Sequence, residues 1–159
     1  MTGIAIAIFG AALCAALAGA GSAIGVMAAG KAAAGVTSEK PELFGKMLVL
    51  QALPGTQGIY GFLTAVLLMV RIGLLGGSPL ELTAAQGWSL FFAVLPMAIV
   101  GLISGACQGK AAVAAIHMTG KQPDASGKGI TMTALVETYA ILALLVSILS
   151  ISGIAGLNI

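Results

Sequence analysis

The placement of its few charges constrains this chain more than any other feature. Residues 1–30, 47–70 and 82–109 carry no charge, and residues 129–159 carry only Glu137. A helix needs about 20 apolar residues to cross the hydrocarbon of a bilayer, and each of the four runs supplies that many. Charged residues make up 8% of the chain, against about 25% in soluble domains, so lipid must be the solvent for most of its surface. Backbone in lipid has to satisfy its own hydrogen bonds, which helices do. The expectation is an all-α membrane protein with four transmembrane helices, forming a single domain over residues 1–159. The apolar N-terminus has no positive leading region and runs on to Gly30, so it is read as a retained first helix rather than a signal peptide.

Lys31, Glu39, Lys40, Glu42 and Lys46 separate the first two runs, and Lys110, Lys121, Asp124 and Lys128 separate the last two. The middle connection has Arg71 and Glu81 around Gly76-Gly77-Ser78-Pro79. Basic residues mark the cytoplasmic side of membrane proteins, so the first and third connections are expected in the cytoplasm and both termini outside. The net charge of +2 includes no basic tract that would suit nucleic acid. Gly30-Lys31-Ala32-Ala33 resembles Gly109-Lys110-Ala111-Ala112, Gly45-Lys46 resembles Gly127-Lys128, and Ala52-Leu53 resembles Ala134-Leu135. This implies a duplicated helical hairpin, residues 1–75 and 82–159, with Gly55 opposite Glu137. Gly21, Gly25 and Ala29 in the first run, and Gly101, Gly105 and Gly109 in the third, form stripes that let helix backbones approach closely. Such stripes suit a closed ring with helices 1 and 3 crowded inside; the plainer alternative is packing within one monomer.

Glu137 lies nine residues beyond Lys128, roughly 13 Å along a helix. A charge so deep costs at least about 2.5–3.5 kcal/mol on insertion scales and marks a functional site. It must be protonated, paired with a cation, or both in turn. Leu53, Thr56, Gln57 and Tyr60 follow a helical spacing and share one face. Pro54 cannot donate a hydrogen bond and disturbs the backbone there, and Gly55 and Gly58 loosen it. Gln108 is the one side-chain amide within the 82–109 run apart from Gln86 near its start. Carboxylate, amide, hydroxyl and carbonyl oxygens suit a hard cation, and broken membrane helices present carbonyls to Na⁺. A proton would need only a carboxyl and one acceptor. Tyr60 is placed to donate its hydroxyl to Glu137.

The segments Leu53-Pro54-Gly55-Thr56-Gln57-Gly58-Ile59-Tyr60-Gly61 and Ala134-Leu135-Val136-Glu137-Thr138-Tyr139-Ala140, with Gln108, resemble the proteolipid (K, or c) subunit of V-type ATPases, most nearly its bacterial sodium-translocating branch. The resemblance covers the whole chain. It implies one Na⁺ site per subunit, held by the Leu53 carbonyl, Thr56, Gln57, Gln108 and Glu137, with Tyr60 locking the carboxylate. It implies a homo-oligomeric rotor ring in the plasma membrane, surrounded by lipid, turned through a central stalk by ATP hydrolysis in other subunits. A stator subunit with an essential arginine would face Glu137. The chain itself would be non-catalytic and bind no nucleotide. The alternative is the same subunit carrying protons.

Other features read more plainly. Cys14 and Cys107 sit in apolar runs and suggest neither a disulfide nor a metal site. Gly25 to Lys31 approaches a phosphate-binding loop, but Ala32 replaces the required hydroxyl residue. His117 is a rim residue, and Arg71 and Trp88 are boundary anchors. Lys110, two residues from Gln108, either snorkels outward or lies in a polar ring interior. Residues 36–46 and 118–128 are expected to be loops that meet the stalk.

Overall fold

A computed structural model describes residues 2–156, so Met1 and residues 157–159, the chain ends expected on the outer side, lie outside the described residues. Among these, α1 (Gly3–Glu39) makes the first span and α4 (Ala84–Lys121) the third. The second span is α2 (Phe44–Ala52) and α3 (Thr56–Arg71), joined by a 3₁₀ turn at Leu53–Gly55. The fourth is α5 (Ser126–Ala134) and α6 (Glu137–Gly156). All four are long and apolar enough to cross a membrane.

The segments expected as loops are mostly helical. α1 runs past Lys31 to Glu39, and α4 runs past Lys110 to Lys121. Charge alone does not end a helix once it has left hydrocarbon, whereas a following proline does, because it forces the preceding residue out of the helical region. Lys40 (φ −135°, ψ 75°) precedes Pro41, and Gln122 (φ −135°, ψ 89°) precedes Pro123. Each proline then opens a 3₁₀ turn, at Pro41–Leu43 and Pro123–Ala125. Lys46 Nζ donates to the Pro123 carbonyl at 2.8 Å and holds the two turns together. Lys31 and Lys110 are both exposed. At the other end a capping box, with Thr83 and Gln86 exchanging side-chain-to-backbone bonds at 3.2 and 2.9 Å, starts α4.

The fourth span is not continuous through Glu137. It breaks at Leu135 and Val136, and α6 begins at the glutamate. This break stands 82 residues after the one at Leu53, the same spacing that separates Pro41 from Pro123 and Gly45-Lys46 from Gly127-Lys128. The Gly-Lys-Ala-Ala pair is spaced by 79 residues. It is therefore three residues out of the hairpin register, nearly a full helical turn, which keeps it on a similar face.

Both small-residue stripes are used inside one chain. A Cβ on Gly109 would collide with the Gly25 Cα, and one on Gly25 would collide with the Gly105 carbonyl oxygen. A Cβ on Gly105 would lie 2.7 Å from the Gly21 carbonyl carbon. The stripes therefore pack α1 against α4 within the monomer, as in the plainer of the two readings. Gly25 to Lys31 is continuous helix rather than a loop. Cys14 is buried in the core beside Ala18, and Cys107 is exposed; both are free thiols.

Serines from one helix reach irregular points of another. Ser22 Oγ accepts the Gly58 N–H at 2.7 Å, just past the Pro54 break. Ser147 Oγ accepts the Met97 N–H at 3.2 Å, next to Pro96. Ser104 Oγ donates to the Val136 carbonyl at 3.1 Å, inside the fourth-span break. Side-chain hydroxyls from neighbouring helices are what permit broken backbone in lipid.

Gly109→Ala is expected to destabilise the bundle by about 1–3 kcal/mol, as overpacking does, because the new methyl meets backbone. Gly127→Ala, in α5 where nothing lies within 4 Å, is expected to keep stability or raise it by up to about 1 kcal/mol. Thermal unfolding in detergent, followed by circular dichroism, checks both.

Candidate functional site

The site is built where the two helix breaks meet α4. At the first break Pro54 has no N–H to give, and the chain tightens into a 3₁₀ turn. The Leu53 carbonyl there accepts the Thr56 backbone N–H and also faces the Thr56 hydroxyl at 3.2 Å. The same hydroxyl lies 3.4 Å from Gln57 Oε1. At the second break the Leu135 and Val136 N–H groups donate to the Thr131 and Thr133 carbonyls, each at 3.2 Å. Glu137 thereby stands at the start of α6, where the unpaired N–H groups and the helix dipole favour negative charge.

Gln57 and Gln108 are fully buried between these breaks. Gln57 Nε2 donates to Gln108 Oε1 and, at 3.2 Å, to Ser104 Oγ. Gln108 Nε2 donates to the Thr133 carbonyl at 3.3 Å and to Glu137 Oε2 at 3.4 Å. The Tyr60 hydroxyl donates to Glu137 Oε1. Leu53, Thr56, Gln57, Tyr60, Gln108 and Glu137 therefore join one hydrogen-bonded chain across three spans. The carboxylate's partners are the neutral Tyr60 and Gln108.

Ser104 belongs to this network, and the sequence reading does not mark it. A signal exists: it stands four residues before Gln108, on the same helical face. The carbonyls of Thr133 and Val136 have no signal, because any residue carries a carbonyl and only the break turns these two toward the site.

The duplication supplies an internal comparison. Thr138 stands 82 residues after Thr56 and makes the same hydroxyl-to-carbonyl contact, with Leu135, at 2.8 Å. That is an ordinary hydroxyl bond. The Thr56–Leu53 contact in the site, at 3.2 Å, is looser.

The family model for the ATP synthase C-subunit matches the chain twice, over residues 9–68 and 91–150, in the same 82-residue register as the helix breaks. The V-type sodium ATPase subunit K of Enterococcus hirae is 47% identical over 131 residues, covering 82% of this chain and 80% of that protein. The A-type ATP synthase subunit K of Methanocaldococcus jannaschii is 43% identical over 143 residues, covering 90% of this chain and 61% of that protein.

Tyr60→Phe removes one of the two side-chain partners of Glu137. Hydrogen bonds to charged groups contribute about 1.5–3 kcal/mol, so the untethered carboxyl is expected to react roughly ten- to a hundredfold faster with a hydrophobic carbodiimide. Timed labelling of Glu137, read by mass spectrometry, checks this; an unchanged rate means the tyrosine does not hold the carboxylate.

Proposed function

The chain belongs to the ATP synthase C-subunit family, and from that premise we propose that it is the rotor-ring subunit of a V-type ATPase carrying Na⁺ through the site around Glu137. It is an ion-translocating, multi-pass membrane subunit that works in a ring. The observation that carries the choice of Na⁺ is the number of oxygens gathered at one place. The Leu53 carbonyl, Thr56, Gln57, Gln108 and Glu137 share one network, whereas a proton would need only the carboxyl and one acceptor. Oxygen donors of this kind suit a hard cation.

In this reading the Leu53 carbonyl, Thr56, Gln57, Gln108 and Glu137 supply the oxygens, and the carboxylate balances the ion's charge. Tyr60 stays on Glu137 and holds it toward the ion. The two hairpins, 1–75 and 82–159, share one such site. In the ring α1 and α4 line the interior, and the broken second and fourth spans carry Glu137 outward. There a stator arginine opposes the carboxylate and opens the site, so that the ion leaves to one side and another loads from the other. The subunit is non-catalytic and binds no nucleotide; ATP hydrolysis elsewhere turns the ring through a central stalk. The stalk meets the lysine-bearing turns at Lys40 and Gln122, which face the cytoplasm, while both termini lie outside the plasma membrane. Moving each charge against 100 mV requires about 2.3 kcal/mol.

Millimolar Na⁺ is expected to protect Glu137 from carbodiimide at neutral and higher pH. Absence of protection there would assign the subunit to protons instead. Gln57→Ala and Gln108→Ala are each expected to weaken ²²Na⁺ binding about ten- to a hundredfold with rings still assembling; unchanged binding in both would remove the amides from the ligand set. Glu137→Gln is expected to abolish transport, measured as ²²Na⁺ uptake into vesicles carrying the complex, because a neutral amide cannot balance the ion.

A further inference from the structure

We propose that Ser104 is a positioning residue that fixes the orientation of the Gln57 amide and thereby sets the affinity of the site for Na⁺. The inference rests on the Na⁺ reading above. Ser104 is only 5% exposed and Gln57 is fully buried, so neither finds a substitute partner in water. An amide has two N–H donors on one side and one oxygen on the other. Both donors of Gln57 are committed, one to Gln108 Oε1 and one to Ser104 Oγ. Gln57 Oε1 is thereby turned to the Thr56 side, where it lies 3.4 Å from the hydroxyl.

Ser104 can receive that donor because its own proton is already placed. The hydroxyl has a single proton, and it goes to the Val136 carbonyl at 3.1 Å. A rotated Gln57 amide would set its oxygen against a hydroxyl with no proton left to give and against the oxygen of Gln108. Gln108 cannot rotate to compensate, because its own Nε2 faces the Thr133 carbonyl and Glu137 Oε2. Ser104 thus reads the break before Glu137 through one contact and transmits its position to the opposite wall of the site through the other. A serine that merely joined two helices would add some stability and leave the ion's affinity untouched, which separates the two roles experimentally.

The measurement is the Na⁺ concentration that half-protects Glu137 from carbodiimide in the detergent-solubilised ATPase complex at fixed pH. Ser104→Ala is expected to raise it about tenfold (about 1.4 kcal/mol). Ser104→Cys, similar in shape but a weak acceptor, is expected to do the same and carries the test if the alanine variant fails to assemble. Ser104→Thr restores the hydroxyl and is expected to stay within about threefold of the parent. In a Gln57→Ala background Ser104→Ala is expected to add nothing further, since both act through one amide. Parent-like half-protection in the alanine and cysteine variants, or a full additional loss in the double variant, overturns the role of Ser104 while leaving the Na⁺ site standing. No protection of the parent by Na⁺ overturns the Na⁺ reading, and the role of Ser104 with it.

Discussion

A carboxylate well inside a membrane span costs about 2.5–3.5 kcal/mol on insertion scales, and Glu137 meets that cost with neutral dipoles rather than a basic partner. Its two oxygens face the Tyr60 hydroxyl and the Gln108 amide. Its position at the start of α6 adds the favourable end of a helix dipole. A lysine or arginine in the same place would bind the carboxylate permanently and leave nothing for a mobile cation to neutralise. Neutral partners orient the charge without cancelling it. That difference separates a carboxylate that fixes a fold from one that can exchange an ion.

The rest of the bundle serves this arrangement by bringing three spans close enough for short side chains to meet. The contact of Gly25 with Gly105 and Gly109 brings the backbones of α1 and α4 together at that level. α4 then presents Ser104 and Gln108 to both broken spans at once. A break in a membrane helix exposes backbone groups that lipid cannot satisfy. Here each irregularity receives a hydroxyl from a neighbour: Ser22 at Gly58, Ser147 at Met97 and Ser104 at Val136. The broken and unbroken spans therefore depend on each other for more than packing, because hydroxyls cross the helix interface in both directions.

The four spans, their order and the depth of Glu137 are legible in the sequence because lipid enforces a simple rule, that charges stay out, and the exceptions stand out. The facing of Thr56, Gln57 and Tyr60 is legible because Pro54 and the helical spacing mark it. The true ends of α1 and α4 are not read from the charge clusters, because Pro41 and Pro123 set them instead. The break before Glu137 is also hidden: Leu135-Val136 contains no proline or glycine, and the partners that the Val136 and Thr133 carbonyls find there, Ser104 and Gln108, come from another helix. The glycine stripes are visible as close-approach surfaces, but spacing alone does not say whether the approaching helix belongs to the same chain. Ser104 shows the commonest gap, a residue whose role exists only through two partners far away in sequence.

The 82-residue register also shows why one half holds a site and the other does not. Gly55 stands where the other hairpin has Glu137, Tyr139 where it has Gln57, and Val26 where it has Gln108. The hydroxyl of Thr138 and the carbonyl of Leu135 remain, and they bond to each other at 2.8 Å. A buried amide needs partners in a medium without water, and Gln57 and Gln108 find theirs in each other, in Ser104 and in the Thr133 carbonyl as well as in Glu137. Val26 and Tyr139 bring no amide to the other half, which therefore has no such network to complete. Thr138 needs none, because its hydroxyl finds a partner within its own span. The candidate site is in this sense a single unit: its carboxylate and its amides hold one another across the spans, whereas the hydroxyl of Thr138 satisfies itself locally.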